Sequence, residues 1–181
     1  MVLKPSLDTR DGKGIIRSRA GLSRPCLTID KDVDLYKAIK SYSNALAAQF
    51  ESLRWVIIDE CQFLTEEQVD QLSDVVDFLD INVMCYGLRT DFKSRLFPAS
   101  KRLFELADDI EEVKSTCECG KNKTSINARF DKNGDIIVDG DQIMVGGDES
   151  YRAICRKCWK DKVRDKINKE MERKGRKEAT D

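Results

Sequence analysis

Two adjacent carboxylates, Asp59 and Glu60, directly follow the apolar run Trp55-Val56-Ile57-Ile58. A short run of aromatic and β-branched residues is typical of a strand covered on both faces. Carboxylates at the carboxyl tip of a parallel strand lie where open α/β sheets bind ligands. An Asp there can hold Mg²⁺, and a neighbouring Glu can accept a proton from an attacking hydroxyl. The alternative interpretation is a strand that runs into the acidic first turn of the next helix.

Four late cysteines form the second pattern that predicts chemistry. Cys117 and Cys119 make one close pair, and Cys155 and Cys158 make another. The dipeptide Asn133-Gly134 between the pairs predicts a hairpin turn, flanked by strands at 127–130 and 136–138. Two cysteine pairs around a hairpin indicate a zinc ribbon with four thiolate ligands, a closed site that is structural rather than catalytic. The alternative is four buried thiols without a metal.

Composition limits the classes of function. The chain has 181 residues, a net charge of −1, seven cysteines and no histidine. The charge gives no general attraction to nucleic acid or membrane, and the lack of histidine excludes Ser-His-Asp, Cys-His and His-ligated metal mechanisms within this chain. We find no apolar run of membrane-spanning length and no signal peptide, so we expect a soluble cytoplasmic protein with reduced cysteines.

The order of predicted elements indicates a parallel α/β fold over residues 1–115. We predict strands at 2–5, 15–17, 26–29, 55–58, 83–87 and 110–114. A helix with apolar residues at helical spacing from Leu35 to Leu53 follows Asp32 or Asp34 as N-cap. Thr65 and Gln68 predict a capping box for the next helix, with Val69, Leu72, Val76 and Leu79 buried, and a short helix follows at 101–107. We expect a zinc-ribbon domain at 116–160 and a charged helix and tail at 161–181.

Two further segments have polar and aromatic residues in loops. Arg89, Asp91 and Phe92 follow the predicted strand at 83–87 and could be functional or an ordinary solvated loop. The pair Gly146-Gly147, followed by Tyr151, could let the backbone approach a flat ligand, or could be a simple turn.

Taken together, these motifs resemble the bacterial, type II thymidine kinases. The resemblance rests on the acidic strand, Gly87-Leu88-Arg89-Thr90-Asp91-Phe92, Gly146-Gly147 and the four cysteines in one order. It also includes the segment from Leu3 to Arg10 and Cys155-Arg156-Lys157-Cys158, and it covers about residues 1 to 160. The family transfers the γ-phosphoryl group of ATP to the 5′-hydroxyl of thymidine. The resemblance implies an α/β P-loop core, a zinc-ribbon lasso and usually a homotetramer inhibited by thymidine triphosphate.

The resemblance also implies roles for particular residues. Glu60 would be the general base, and Asp59 would order Mg²⁺ through water. The lasso is a loop, anchored by the ribbon, that closes over the base. The residues implied at the ATP and Mg²⁺ site are Asp8, Arg10, Asp59, Glu60, Cys61 and Gln62. Those implied around thymidine are Phe63, Leu88, Phe92, Gln142, Ile143, Met144, Val145, Gly146 and Tyr151. Zinc would be held by Cys117, Cys119, Cys155 and Cys158.

One departure from the family is the phosphate loop. The pairs Gly12-Lys13 and Gly120-Lys121 are followed by Gly14 and Asn122, and neither has a glycine five residues before it, so neither fits the phosphate-loop motif. A sheet without the strand that precedes this loop is expected to leave edges and apolar faces exposed. One hypothesis is that Met1 is an internal methionine of a complete kinase. The other is a catalytically impaired remnant that acts as a zinc-ribbon nucleoside-binding or interaction protein.

A helicase-type ATPase is a rival interpretation, because Asp-Glu-x-Gln strings also occur in those motors. Such motors need a second motor domain and an arginine supplied in trans. The residues after 115 predict a zinc ribbon instead, so we favour the kinase.

Overall fold

The computed structural model describes residues 1–10, 12–18, 20–113, 115–143 and 151–178, with side chains up to residue 172. The chain divides into two compact units. The first comprises Met1–Arg89 and Leu96–Ile110, and the second comprises Thr90–Arg95 and Glu111–Asp181.

The first unit is an α/β structure, as predicted. Its strands are β1 (Val2–Pro5), β2 (Ile15–Arg17), β3 (Ser23–Pro25), β4 (Leu27–Ile29), β5 (Trp55–Ile58) and β6 (Asn82–Cys85). Its helices are α1 (Leu35–Ala47), α2 (Glu66–Leu79) and α3 (Pro98–Leu106), with a 3₁₀ turn at Cys61–Phe63. Strands β2 and β3 form a separate antiparallel pair.

The remaining four strands form a parallel sheet in the order β4-β1-β5-β6. Leu3 is level with both Leu27 and Ile58, and Ile58 is level with Cys85. The carboxyl ends of these strands therefore lie at one edge of the sheet, where α/β folds bind ligands. The acidic pair after β5 and the segment after β1 both follow this edge.

Capping residues set the helix starts that the sequence predicts. The Asp34 side chain accepts the backbone N–H of Lys37 at the start of α1. Thr65 and Gln68 form the predicted capping box of α2. The prediction that the helical stripe of α1 continues to Leu53 is wrong, because α1 ends at Ala47 and Phe50 is fully exposed with a φ of 59°.

The hydrophobic core of the first unit lies between the sheet and the helices. Val75 of α2 is fully buried, whereas Val76, which we expected in the buried stripe, is only half-buried. Side chains from the sheet and the helices share one apolar cluster, which holds the strand tips in place. The buried members are Leu3, Ile29, Leu35, Ile39, Val56, Ile58, Cys61, Leu64, Val69, Leu72, Val75, Ile81 and Ala99.

The second unit pairs β7 (Ile126–Arg129) with β8 (Tyr151–Ile154) in an antiparallel ladder, followed by α4 (Arg156–Glu178). The predicted turn at Asn133-Gly134 is present, and the Asp131 carboxylate accepts the N–H groups of Asn133 and Asp135. The predicted strand at 136–138 is wrong, because this segment returns with an isolated bridge between Phe130 and Ile136. A distant segment, β8, takes the place along β7 instead.

The predicted strand at 110–114 is also wrong for its described part. Residues 110–113 have no strand conformation, and Lys114 lies outside the described residues. Ile110 and Val113 are exposed, which fits an apolar segment that lacks a strand partner in the described part of the chain. Among the described helices, none has the length and apolar character needed to cross a membrane.

Candidate active site and metal centre

Glu60 has an unusual backbone conformation at the tip of β5. Its φ and ψ of 52° and 39° lie in the left-handed region, which is costly for a residue with a side chain. Its backbone N–H donates to Oδ1 of Asp59 at 3.0 Å. Residues held in such conformations are concentrated at functional sites.

Two side chains hold the Glu60 carboxylate in place. Nη2 of Arg10 donates to one oxygen, and Nε2 of Gln62 donates to the other at 2.6 Å. Gln62 is buried, and its own oxygen accepts the backbone N–H of Leu88 at 2.9 Å. The position of Glu60 is therefore tied to the segment after β6 as well as to the segment after β1.

The segment after β1 adds a second charged pair. Nε of Arg10 donates to Oδ1 of Asp8 at 2.8 Å, and Nζ of Lys4 lies 3.5 Å from Oδ2 of Asp8. Lys4 is fully buried, and its Nζ has no hydrogen bond among the described residues. Lys4 is not among the site residues predicted from the sequence. The available signal was a lysine inside an apolar strand, immediately before a proline.

Burial and neighbouring groups shift the pKa values of Asp59 and Asp8. Burial, followed by the negative charge of Glu60, raises the pKa of Asp59. Burial opposes ionisation of Asp8 as well, but hydrogen bonds and charge from Arg10, with the charge of Lys4, lower its pKa overall. Three carboxylates and two cations leave this cluster one unit negative.

Cys61, which we predicted near ATP and Mg²⁺, has its side chain in the core. Its backbone N–H donates to the carbonyl of Tyr86 at 2.9 Å. Hydrogen bonding with Cys85 and burial raise the pKa of the Cys61 thiol, so the sulfur stays protonated. Gly87 packs directly against this turn, because a β-carbon there would lie 2.6 Å from both the Cys61 sulfur and the Gln62 side-chain oxygen.

The residues predicted to surround thymidine lie in both units. In the first, Phe63 packs edge-on against Phe97 with ring centroids 6.1 Å apart. Also there, the Leu88 carbonyl accepts the Ser100 hydroxyl at 2.7 Å. In the second, Tyr151 begins β8 and Ile143 is partly exposed. The predictions for Met144, Val145 and Gly146 lie outside the described residues.

In the second unit, the loop Thr90–Arg95 is organised by a buried carboxylate. Oδ1 of Asp91 accepts the N–H groups of Lys93 and Arg95, each at 2.9 Å, and Oδ2 accepts Nε2 of Gln142 at 3.0 Å. Phe92 is only 1% exposed. Asp91 therefore shapes this loop and joins it to the predicted base-binding segment that begins at Gln142.

The four late cysteines come together as the sequence predicts. Their sulfur atoms all lie within 4.8 Å of one another, and the pairs Cys117–Cys158 and Cys119–Cys155 are each separated by 3.9 Å. Tetrahedral zinc with Zn–S bonds of about 2.3 Å requires sulfur separations of about 3.8 Å. The four thiols therefore fit a metal ion, and a four-sulfur donor set fits zinc.

Backbone amides support this metal centre. Cys155 donates its N–H to Sγ of Cys117 at 3.3 Å, and Cys158 donates its N–H to Sγ of Cys155 at 3.4 Å. The Cys158 amide lowers the pKa of the Cys155 thiol, and the Lys121 amide lowers that of Cys119, which favours the thiolate forms that bind metal. Hydrogen bonds to the ligand atoms in this way orient metal ligands.

Comparison with known proteins identifies a family. The family model described as Thymidine kinase matches residues 1–159. The thymidine kinase of Mannheimia succiniciproducens is 44% identical over 163 residues, which is 90% of this chain and 80% of that protein. That of Aliivibrio fischeri is 44% identical over 160 residues, covering 88% and 80%. That of Agrobacterium fabrum is 42% identical over 159 residues, covering 88% and 79%.

Proposed function

The chain belongs to the thymidine kinase family, and we propose that it transfers the γ-phosphoryl group of ATP to the 5′-hydroxyl of thymidine. The products are thymidine monophosphate and ADP. The family match spans residues 1–159, which include both the first unit and the cysteine-rich ribbon, and it therefore disfavours a helicase-type ATPase. The observation that carries the proposal for the site is the carboxylate of Glu60 at the tip of β5, which Arg10 and Gln62 hold in place.

Glu60 is the proposed general base. Its carboxylate accepts the proton of the 5′-hydroxyl as that oxygen attacks the γ-phosphorus, and the bond to the β,γ-bridging oxygen breaks to release ADP. Arg10 and Gln62 keep the carboxylate oriented. General-base catalysis requires the acceptor within hydrogen-bonding reach of the hydroxyl, so this restraint has a direct use.

The remaining members of the cluster serve the phosphates and the metal. Asp59 would hold Mg²⁺, which neutralises charge on the transferred phosphoryl group when bound. Asp8 fixes Arg10, whose half-exposed guanidinium can also face phosphate oxygens. The 181 residues contain no phosphate-loop motif, so the proposal for these residues concerns the acidic side of the ATP site.

On the strength of the family resemblance, thymidine is proposed to contact Phe63, Leu88, the segment from Gln142 to Gly146 and Tyr151. Phe92 is buried, so we propose that it supports the loop that borders the base and leaves direct contact to other residues. Burial of the Phe92 ring restricts the movement of the loop Thr90–Arg95, which favours a preformed binding surface for the nucleoside.

Zinc at the four cysteines is proposed to be structural. Nε1 of Trp159 donates to the carbonyl of Phe92 at 3.2 Å, and Trp159 directly follows Cys158. Zinc would therefore fix the loop Thr90–Arg95 as well as the ribbon. A domain boundary near residue 115, a homotetramer, a cytoplasmic location and inhibition by thymidine triphosphate remain part of this proposal, on the strength of the family resemblance.

The role of Glu60 is tested by Glu60→Gln, with Glu66→Gln as a matched control in the first turn of α2. We expect Glu60→Gln to lower kcat by about 10²–10⁴-fold with unchanged zinc content, because the amide cannot accept the proton. The control should retain wild-type kcat. An unchanged kcat in Glu60→Gln would remove this residue from the role of base.

The second candidate function is binding without turnover. A protein that binds thymidine with a measurable Kd and forms no monophosphate in the presence of ATP and Mg²⁺ would support this alternative.

A further inference from the structure

Arg129 is a buried cation that has no role in the proposed chemistry. It lies on β7 and is only 4% exposed. Its Nε has no hydrogen bond among the described residues. Burying a guanidinium is unfavourable unless its hydrogen-bond donors and its charge are well paired. An arginine at a buried position, where an apolar residue would cost less, therefore needs a specific explanation.

The guanidinium of Arg129 stacks on the ring of Phe92. Its central carbon lies 3.8 Å from the ring centroid, a close cation–π contact. Phe92 sits in the loop Thr90–Arg95, and its carbonyl accepts the Trp159 indole. Phe92 therefore contacts both Arg129 and Trp159, the residue that follows Cys158.

The same guanidinium also fixes the turn at 139–141. Nη1 donates to the carbonyl of Asp141 and Nη2 to that of Asp139, each at 3.2 Å. Gly140 has a φ of 117°, and a β-carbon there would lie 2.7 Å from Nη2 of Arg129. The turn has thus adapted to the guanidinium at a position where only glycine fits without strain.

Polar contacts join the two segments that Arg129 touches. Nζ of Lys93 donates to the carbonyl of Gly140 at 2.6 Å, and Nε2 of Gln142 donates to Asp91. These contacts come from loops, whereas Arg129 comes from a strand paired with β8. Arg129 therefore connects the paired strand β7 to both the loop Thr90–Arg95 and the turn at 139–141.

We propose that Arg129 is a positioning residue for thymidine. It fixes the turn at 139–141, which leads into Gln142 and Ile143, and the loop Thr90–Arg95, so that Gln142 and Ile143 are positioned to contact the nucleoside. The inference rests on the proposed function, in which Gln142 and Ile143 contact thymidine. Arg129 acts through these segments and does not touch the reacting atoms.

The test compares Arg129→Met and Arg129→Lys with Arg152→Met in the full protein. Arg152 is a matched control, since it is an exposed arginine of the same ribbon that stacks on Phe130, with its guanidinium carbon 5.0 Å from that ring centroid. Lysine keeps the charge of Arg129 but cannot stack flat and reach two carbonyls at once. We expect both Arg129 variants to raise KM for thymidine by about 10- to 100-fold. Their kcat and their KM for ATP should stay near the wild-type values, as should all constants of Arg152→Met.

Two measurements separate positioning from general damage. Zinc content should equal that of the wild type in every variant. Amide hydrogen exchange of residues 139–143 should become faster in the Arg129 variants, while exchange in β7 and β8 is unchanged.

The outcomes differ for the inference and for the proposed function. Unchanged KM for thymidine in both Arg129 variants overturns the inference, and so does zinc loss in both, because the role would then be support of the whole ribbon. Equal changes in KM for thymidine and ATP overturn it as well. If the wild-type protein forms no thymidine monophosphate, the proposed function fails, and hydrogen exchange still decides whether Arg129 fixes the turn.

Discussion

The left-handed backbone at Glu60 predicts that glycine is more stable than alanine at this position. For a residue with a β-carbon, the left-handed region costs about 1–2 kcal/mol of conformational energy relative to the right-handed one. Glycine adopts the left-handed region without this cost. Both substitutions remove the same carboxylate, with its contacts to Arg10 and Gln62, so those losses cancel between them. We therefore expect Glu60→Gly to exceed Glu60→Ala in free energy of unfolding by about 1 kcal/mol.

The matched control is Asp74, an exposed residue in the interior of α2. At a helical position the order reverses, and Asp74→Ala should be more stable than Asp74→Gly by about 1 kcal/mol. The two pairs thus differ in sign. Denaturant unfolding of the four variants measures the differences directly, provided that the slopes with denaturant agree.

Activity measured on the same variants separates strain from chemistry. Glu60→Gly and Glu60→Ala should both lose kcat by about 10²–10⁴-fold, because neither can accept a proton, although one is the more stable protein. Equal or greater stability of Glu60→Ala would refute the argument about backbone strain. Retention of kcat in either variant would refute the argument about the general base.

Three further predictions follow from other contacts. Cys158→Ser should lower the zinc content and the melting temperature of the ribbon, measured by metal analysis and thermal unfolding, because three thiolates hold the metal more weakly than four; full zinc retention would contradict this. Gly87→Ala should lower the unfolding free energy by about 1–3 kcal/mol and should lower kcat, because the alanine β-carbon would displace the Gln62 side chain. Wild-type stability and wild-type kcat in this variant would contradict the close packing at Gly87. Arg10 lowers the pKa of Asp8 in the folded state below its unfolded value, near 3.8. The ionised Asp8 carboxylate therefore stabilises the fold fully above the unfolded pKa, and this stabilisation is lost as pH falls through the lower folded pKa. Unfolding free energy measured from pH 7 to pH 2 should therefore fall more steeply in the wild type than in Asp8→Asn, and parallel curves would contradict the shift.

Local signals predicted the parts of this fold that depend on neighbouring residues. Thr65 and Gln68 indicated the start of α2, because the reciprocal hydrogen bonds of a capping box need only those residues. The spacing of the cysteine pairs predicted the metal centre. The apolar run before Asp59 placed the carboxylates at the tip of a parallel strand, since the carboxyl ends of such strands share one edge.

The features that sequence reasoning missed depend on contacts between distant residues. The segment at 136–138 follows a strong turn signal, yet β8 pairs with β7, and choice of partner depends on tertiary packing. The stacking of Arg129 on Phe92 joins residues far apart in the chain, and neither residue type indicates the other. The left-handed conformation of Glu60 also has no signal in its residue type, because Asn, Asp and Gly are the residues usually found there.

The central claim is that this protein phosphorylates thymidine at its 5′-hydroxyl. The most direct test incubates the full protein with ATP, Mg²⁺ and thymidine and measures the nucleoside monophosphate and ADP together. We predict thymidine monophosphate and ADP in equal amounts, with no ADP formed when thymidine is omitted. ADP formation that does not depend on thymidine, or thymidine binding without product, would contradict the claim.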